Sequence, residues 1–282
     1  MFRAFQSIAK TPRKENAIPN PSSAGNFSHE GFELVRGLIP RSTLDAARAE
    51  IISVGKALGS ELGDVDALYQ ELKQQGSGES GLLYDACKRM ISLNRLAFSD
   101  EVIKGLEHVG CRNPALLDVN FRIDSKGADK YLFEWHQDYW FSMSSRNGIV
   151  AWIPLTDVTE ETGGLSVIPL THSLSKLYRV RRGDKFDSYA DAVVLDEPIP
   201  REHAVDLRPS AGDVLFFRFD VLHRSLPVAT AHRARWTLQA RFASFEDEEF
   251  RHRGFRPAVV SKGHVPYLEE LNSSLPLKGA RR

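Results

Sequence analysis

The ten residues from Tyr131 to Trp140, YLFEWHQDYW, constrain this chain more than any other stretch. They are rich in aromatic residues and poor in helix formers near the centre, which is typical of a β-strand. Alternate residues of a strand point to the same side, so His136 and Asp138 are predicted to project together. An imidazole and a carboxylate on one face are two of the three ligands, two histidines and one carboxylate, that bind non-haem iron in oxygenases. The stretch therefore predicts a metal site that needs a second histidine.

His223 is the candidate for that second histidine. A turn at Gly212-Asp213 leads into a predicted strand, Val214–Phe219, and His223 stands at the end of that strand. Strands far apart in sequence can be neighbours in a jelly roll, which would complete a triad with His136 and Asp138. The alternative is that each histidine only makes hydrogen bonds in the core. The His-x-Asp spacing followed by a late histidine favours the metal site.

The last predicted strand, Trp236–Phe242, begins next to an arginine. Alternation places four polar residues on one face of this strand, Arg235, Thr237, Gln239 and Arg241. Arginine presents paired donors that match a carboxylate, so Arg235 is the best candidate to hold the far carboxylate of a dicarboxylate co-substrate. Arg233 is a nearby competitor for this role, and a strand side that faces solvent is the alternative interpretation.

Composition excludes several classes of function. The 282 residues are 42% hydrophobic, which is enough for a substantial core, and Lys+Arg and Asp+Glu both number 37. No net field therefore attracts nucleic acid or an anionic membrane, and no apolar run reaches the length of about 18 residues that a membrane span needs. Cys87 and Cys111 form neither a disulfide framework nor a zinc spacing, which favours buried thiols and a cytoplasmic location.

The pattern along the chain predicts one domain of α+β class, a jelly roll with flanking N-terminal helices. Residues 1–28 are expected to be a flexible arm; the four basic residues of its first half are also typical of a transit peptide, but the polar, proline-containing continuation favours a plain tail. The single domain covers residues 29–250, with helices in 40–110 and the jelly-roll core in 115–245. Residues 251–282 form a C-terminal extension.

The predicted elements follow from the change of hydrophobic period, from 3.6 before Ala115 to 2 after it. Helices are expected from a cap at Ser42, over 64–75, over 82–98 and over 99–109. Strands are expected at 31–38, 116–123, 131–140, 149–155, 165–168, 192–195, 204–207, 214–219 and 236–242.

Several short motifs occur together in the order seen in the phytanoyl-CoA dioxygenase family, which this chain resembles over residues 29–245. They are Gly31–Gly37, Trp135–Asp138, Ala151–Asp157, Glu161–Pro169 with Thr171–Ser173, Gly212–Phe217, His223–Ser225 and Arg235. The resemblance implies a double-stranded β-helix that binds Fe(II) and 2-oxoglutarate. It implies that His136, Asp138 and His223 are the iron ligands and that Arg235 anchors 2-oxoglutarate. It further implies co-substrate contacts at four positions, Ser225, Trp152, Asn120 and Thr237, and a structural role for His172.

The reaction that the resemblance implies is hydroxylation of a C–H bond of a small molecule, with O2 consumed and succinate and CO2 released. Related halogenases lack the carboxylate that Asp138 supplies, so hydroxylation, desaturation or ring formation is favoured over halogenation. Two other classes stay open, a cupin-like metalloenzyme without oxygen chemistry and a non-catalytic binding protein of the same fold.

The long segment between the strands ending at Ile168 and beginning at Val214 carries a basic run, YRVRRGDK. Arg181 and Arg182 are candidates to meet an anionic group of the substrate at the mouth of the barrel. A solvated charged loop is the competing interpretation. The identity of the substrate and the oligomeric state are not fixed by the sequence.

Overall fold

A computed structural model describes residues 26–174, 176–181, 193–257 and residue 273. Most of the predicted N-terminal arm, most of the C-terminal extension and the candidate Arg182 lie outside the described residues. In the described part, no helix is both long and apolar enough to cross a membrane.

The first part of the described chain is mainly helical, as expected. The helices there are α1 Phe27–Glu30, α2 Arg41–Ala57, α3 Val65–Gln75, α4 Ser77–Cys87, α5 Ile91–Ala97 and α6 Asp100–His108. Side chains cap three of them: Asn26 accepts from His29 N in α1, Asp64 accepts from the first turn of α3, and Ser99 accepts from Val102 N in α6. The predicted helix over 82–98 is wrong in its bounds, because it is two helices separated by a turn and the first begins at Ser77.

Ten strands form three antiparallel sheets in the described residues. They are β1 Phe32–Val35, β2 Pro114–Asp124, β3 Ile149–Pro154, β4 Leu165–Ile168, β5 Val180–Arg181, β6 Val194–Leu195, β7 Val205–Leu207, β8 Val214–Arg218, β9 Leu222–Ser225 and β10 Arg235–Ser244. The large sheet has the order β1-β8-β3-β10-β2, the small sheet β7-β4-β9, and β5 pairs with β6. Two more short α-helices are present, α7 Tyr139–Ser142 and α8 Glu248–His252.

Alternation along the strands of the large sheet separates two cores. One face, which includes Phe216, Trp236 and Leu238, packs on the helices α2 to α6 in one cluster. The other face, which includes Trp152 and Leu215, packs in a second cluster with residues of the small sheet such as Val167. The α+β class and the helices on one face of a sheet are therefore confirmed, and the space between the two sheets holds the candidate site.

The prediction of a strand over Tyr131–Trp140 is wrong. The chain forms a 3-10 helix at Asp129–Tyr131, runs without regular structure to Asp138 and then turns into α7. Apart from one bridge at His136, the polar groups of this segment bond to loops distant in sequence: the Gln137 amide donates to the carbonyls of Lys176 and Asp220. Aromatic residues are typical of strands, but Trp135, Tyr139 and Trp140 are here because their side chains pack in the core.

The prediction that His223 stands at the end of the strand Val214–Phe219 is also wrong, because His223 belongs to the separate strand β9. A turn after Arg218 ends β8, and Arg218 pairs there with the buried carboxylate of Asp220. The chain then begins β9, which belongs to the other sheet. The turn thus carries His223 from the large sheet to the small one.

Candidate metal centre and adjoining cavity

The two histidines face each other across an antiparallel bridge. His136 N donates to His223 O at 3.0 Å, and His223 N donates to His136 O at 3.1 Å. Their ring centroids are 4.1 Å apart. The pairing of one irregular segment with β9, not alternation along one strand, therefore brings the two side chains together.

Asp138 completes a compact triad at the start of α7. Its Oδ1 lies 3.3 Å from His136 Nε2 and 3.7 Å from His223 Nε2. One ligand atom from each of the three residues lies within 4.8 Å of the others, and all three side chains are buried. No other group of three His, Cys, Asp or Glu residues in the described chain has this geometry. The three predicted metal ligands are thus brought to one point.

Hydrogen bonds set the orientation of both imidazole rings. The Nδ1 of His136 lies 2.6 Å from Glu134 O, and the Nδ1 of His223 lies 3.0 Å from Val221 O. A backbone carbonyl only accepts, so each Nδ1 carries the proton and each Nε2 keeps its lone pair. The outer hydrogen bond of a metal-binding histidine has this role in fixing the tautomer. The Nε2 lone pairs of both histidines are therefore available to a metal beside Oδ1 of Asp138.

The electrostatics of the triad favour the protonation states that bind a cation. Burial and the neighbouring charge of His136 lower the pKa of His223 to about 3, so its ring is neutral at neutral pH. Burial alone would raise the pKa of Asp138, but the guanidinium of Arg241 holds it well below its ordinary value. One carboxylate and neutral imidazoles are the donor set of a divalent transition metal.

Arg241 lies at the candidate site but was not among the site residues predicted from the sequence. Its Nε donates to Asp138 Oδ2 at 2.8 Å, and its Nη1 donates to Asp118 Oδ1 at 3.3 Å. The signal was present, because alternation had already placed Arg241 on the polar face of the last strand. What the sequence could not show is that this end of β10 lies beside Asp138.

A small cavity opens beside the triad between the two sheets. Its volume is about 20 Å³, which is room for about one water molecule. The lining residues are Phe133, His136, Asp138, Trp152, Leu165, Phe217, His223, Ser225, Gln239 and Arg241. Two of the predicted co-substrate contacts, Trp152 and Ser225, therefore lie at the cavity, and a larger ligand requires side chains to move.

Arg235 does not line this cavity. It is 2% exposed and is bonded on all sides: Nε and Nη2 donate to Asp124 Oδ2, and Nη1 donates to the carbonyls of Thr162, Gly164 and Leu226. Two of these carbonyls belong to Leu226 and Gly164, which are the chain neighbours of the cavity-lining residues Ser225 and Leu165. The guanidinium therefore lies just outside the part of the cavity wall that Ser225 and Leu165 form. The guanidinium of Arg235 was predicted to bind a carboxylate of the co-substrate, but in the structure it binds the carboxylate of Asp124.

Thr237 lies between Arg235 and Gln239 on the same face of β10. Its hydroxyl is buried and has no hydrogen-bond partner among the described residues. An unpaired buried hydroxyl is costly, so this atom marks a place where a polar ligand group would be stabilised. It lies on the path from the cavity to Arg235.

Two further residues that were predicted to contact co-substrate or substrate, Asn120 and Arg181, do not line the cavity. Asn120 is exposed on the edge strand β2, and its amide donates to Asp118. Arg181 is exposed on β5 and forms an ion pair with Asp196 at 3.7 Å. Gln137, between His136 and Asp138, is fully buried and bonded to backbone groups.

Comparison with known proteins gives one match to a family sequence model and several similarities in fold. The sequence model of the phytanoyl-CoA dioxygenase family matches residues 27–236. No curated protein matches the chain. Among solved structures, the chain is similar to the epimerase SnoN in complex with Fe3+, alpha-ketoglutarate and nogalamycin RO, with a TM-score of 0.53 and 18% identity over 90% of this chain and 89% of that one. It is also similar to the non-heme monooxygenase ThoJ, with a TM-score of 0.51 and 17% identity over 77% of this chain and 75% of that one.

Proposed function

Because this chain belongs to the phytanoyl-CoA dioxygenase family, we propose that it is an Fe(II)- and 2-oxoglutarate-dependent oxygenase acting on a C–H bond of a small molecule. The observation that carries the proposal is the buried triad of His136, Asp138 and His223. The two facing antiparallel sheets support a double-stranded β-helix as the fold that holds it.

The donor set of the triad fits ferrous iron. Two neutral imidazoles and one carboxylate on one side of a metal leave the other side open, which is the pattern of non-haem iron oxygenases. Bound iron supplies activation of O2, with 2-oxoglutarate as the source of two electrons and succinate and CO2 as its products. The chain itself orients the ligands through the carbonyls of Glu134 and Val221 and keeps the site dry by burial.

The polar groups beyond the triad fit a dicarboxylate. Ser225 lines the cavity, and the unpaired hydroxyl of Thr237 lies between the cavity and Arg235. We assign the far carboxylate of 2-oxoglutarate to Thr237 and Arg235, with Trp152 and Ser225 along its length. Arg235 is already neutralised by Asp124, so the incoming carboxylate must share the guanidinium with Asp124 or displace it.

The retained carboxylate of Asp138 favours hydroxylation as the outcome over halogenation. A second outcome, epimerisation, is favoured by one observation, the similarity in fold to the epimerase SnoN. The products separate the two: hydroxylation adds one oxygen atom derived from O2, whereas epimerisation leaves the mass of the substrate unchanged.

Succinate release tests the proposal. The purified full-length chain with Fe(II), 2-oxoglutarate and O2 is expected to form succinate slowly without substrate, and His223→Ala is expected to form none above background. A metal-loaded wild-type protein that forms no succinate in a screen of small molecules would favour the cupin-like or non-catalytic alternatives.

A matched pair of variants tests the place of the co-substrate. Thr237→Val keeps the shape of the side chain and removes the hydroxyl, which is expected to weaken 2-oxoglutarate binding about fivefold, the equivalent of about 1 kcal/mol. Ser166→Ala is the control, because the Ser166 hydroxyl is also buried and unpaired. Its neighbours Leu165 and Val167 face the site, so Ser166 points to the opposite side of the strand. Equal effects of the two variants would move the co-substrate away from Thr237.

A further inference from the structure

The two oxygens of Asp138 have different partners. Oδ1 lies 3.3 Å and 3.7 Å from the Nε2 atoms of His136 and His223, on the side where the three ligand atoms converge. Oδ2 accepts a hydrogen bond of 2.8 Å from Nε of Arg241. One oxygen is thus aimed at the metal position, and the other is held by a guanidinium.

The guanidinium of Arg241 is itself held in place. Its Nη1 donates to Asp118, which lies directly opposite on β2 in the register of the two strands. The Arg241 side chain is 14% exposed, whereas that of Asp118 is 49% exposed. A shift in register follows immediately after Arg241, where Phe242 pairs with Leu116. Such bulges often redirect a side chain beside a functional site.

We propose that Arg241 is a positioning residue of the metal centre, whose Nε–H holds Oδ2 of Asp138 so that this carboxylate offers only Oδ1 to the metal. A carboxylate with both oxygens free can take two positions of a metal, and one restrained in this way takes one. The inference rests on the proposed metal-dependent function, and it concerns how many positions stay open for co-substrate and O2. Arg241 touches a ligand of the metal and acts through it.

The atom that makes the contact permits a sharp test. Nε of arginine is joined to Cδ, and so is the amide nitrogen of glutamine, so Arg241→Gln keeps a donor at the same distance along the side chain and loses the charge. Lysine has a methylene at that place, so Arg241→Lys keeps the charge and loses the donor opposite Oδ2. Donor and charge are therefore separated by two single substitutions.

The experiment uses the purified full-length chain loaded with Co(II), whose visible ligand-field bands report coordination number. We expect Arg241→Lys to change the bands, because the freed Oδ2 also binds the metal. We expect Arg241→Gln to keep the bands of the wild type. Urea unfolding of each variant checks that the fold is retained.

The opposite pattern, with the bands kept in Arg241→Lys and changed in Arg241→Gln, would overturn the proposal and leave Arg241 as a source of charge alone. Bands unchanged in both variants would overturn it as well. These outcomes are separate from the proposed function, because a wild-type protein that binds Co(II) but, with Fe(II), forms no succinate refutes the oxygenase and leaves the spectral test of Arg241 in force.

Discussion

The ion pair between Arg235 and Asp124 is predicted to be one of the largest single contributions to stability near the site. Asp124 accepts from Arg235 Nε at 3.2 Å and Nη2 at 3.0 Å, and from Arg122 Nη2 at 2.6 Å. Both members of the pair are almost fully buried. Three charge-assisted hydrogen bonds thus converge on one carboxylate in a medium of low dielectric constant.

Replacing Asp124 by alanine leaves a buried guanidinium without its counterion. Removal of one partner of a buried ion pair costs about 3–5 kcal/mol of the free energy of unfolding. We expect about 3 kcal/mol here, the lower end of this range, because Nη1 of Arg235 keeps its three carbonyl acceptors. The measurement is urea unfolding of Asp124→Ala and wild type, with the slope against urea compared to exclude a change in the unfolded state.

The matched control is Asp206→Ala. Asp206 pairs with Arg208 at 3.6 Å, and both side chains are exposed, at 43% and 37%. An exposed pair of this kind contributes less than about 1 kcal/mol. If Asp124→Ala cost no more than Asp206→Ala, the buried pair would not stabilise the fold, and the assignment of Asp124 as the resident partner of Arg235 would be refuted.

Three further predictions follow from burial and close packing. Burial would raise the pKa of Asp124, but Arg122 and Arg235 hold this pKa below its ordinary value. The charged carboxylate therefore contributes its full stability above the pKa of the unfolded chain, about 4, and this contribution is lost as the pH falls below that value. The difference in free energy of unfolding between wild type and Asp124→Asn should accordingly shrink in acid. Burial raises the pKa of Cys87 and of Cys111 to about 12, so both thiols should react with a disulfide reagent at pH 8 only after unfolding. A Cβ on Gly164 would lie 2.1 Å from a backbone carbonyl oxygen of β7, so Gly164→Ala should cost about 3 kcal/mol, whereas Gly63→Ala meets no atom within 4 Å and should be neutral.

Each of these has a contradicting result. A constant difference between wild type and Asp124→Asn from pH 7 to pH 3 would mean that the carboxylate is not stabilised in its charged form. Fast labelling of either thiol in the folded protein would contradict its burial. Equal stability of Gly164→Ala and Gly63→Ala would contradict the close approach of β4 to β7.

The sequence predicted the class of the fold because hydrophobic period is a local property. Leu165–Ile168 was placed as a strand with its observed bounds, and Asp64 and Ser99 were observed as helix caps. The alternation in β10 also correctly put Arg235, Thr237, Gln239 and Arg241 on the face toward the small sheet.

The convergence of the triad was predicted from a local structure, a strand, that the chain does not form. His136 and Asp138 converge because an irregular segment bridges to β9 and then turns into a helix, which depends on contacts with residues far along the chain, such as Phe219 O accepting from Tyr139 N. Spacing of two residues is compatible with convergence in both a strand and this turn.

The partners of the two arginines could not be read from the sequence. Arg235 pairs with Asp124 because β10 lies beside β2 in the large sheet. Arg241 pairs with Asp138 because the polar face of β10 is turned toward the segment that carries the triad. Strand order is a long-range property, and the pairing of charges follows from it.

The measurement that tests the account most directly is the visible spectrum of the purified apo-protein after addition of Fe(II) and 2-oxoglutarate without oxygen. The account predicts a weak metal-to-ligand charge-transfer band in the wild type that is absent in His223→Ala. A folded protein that binds iron and shows no such band would contradict the account, because its metal would then lack the open side that 2-oxoglutarate needs.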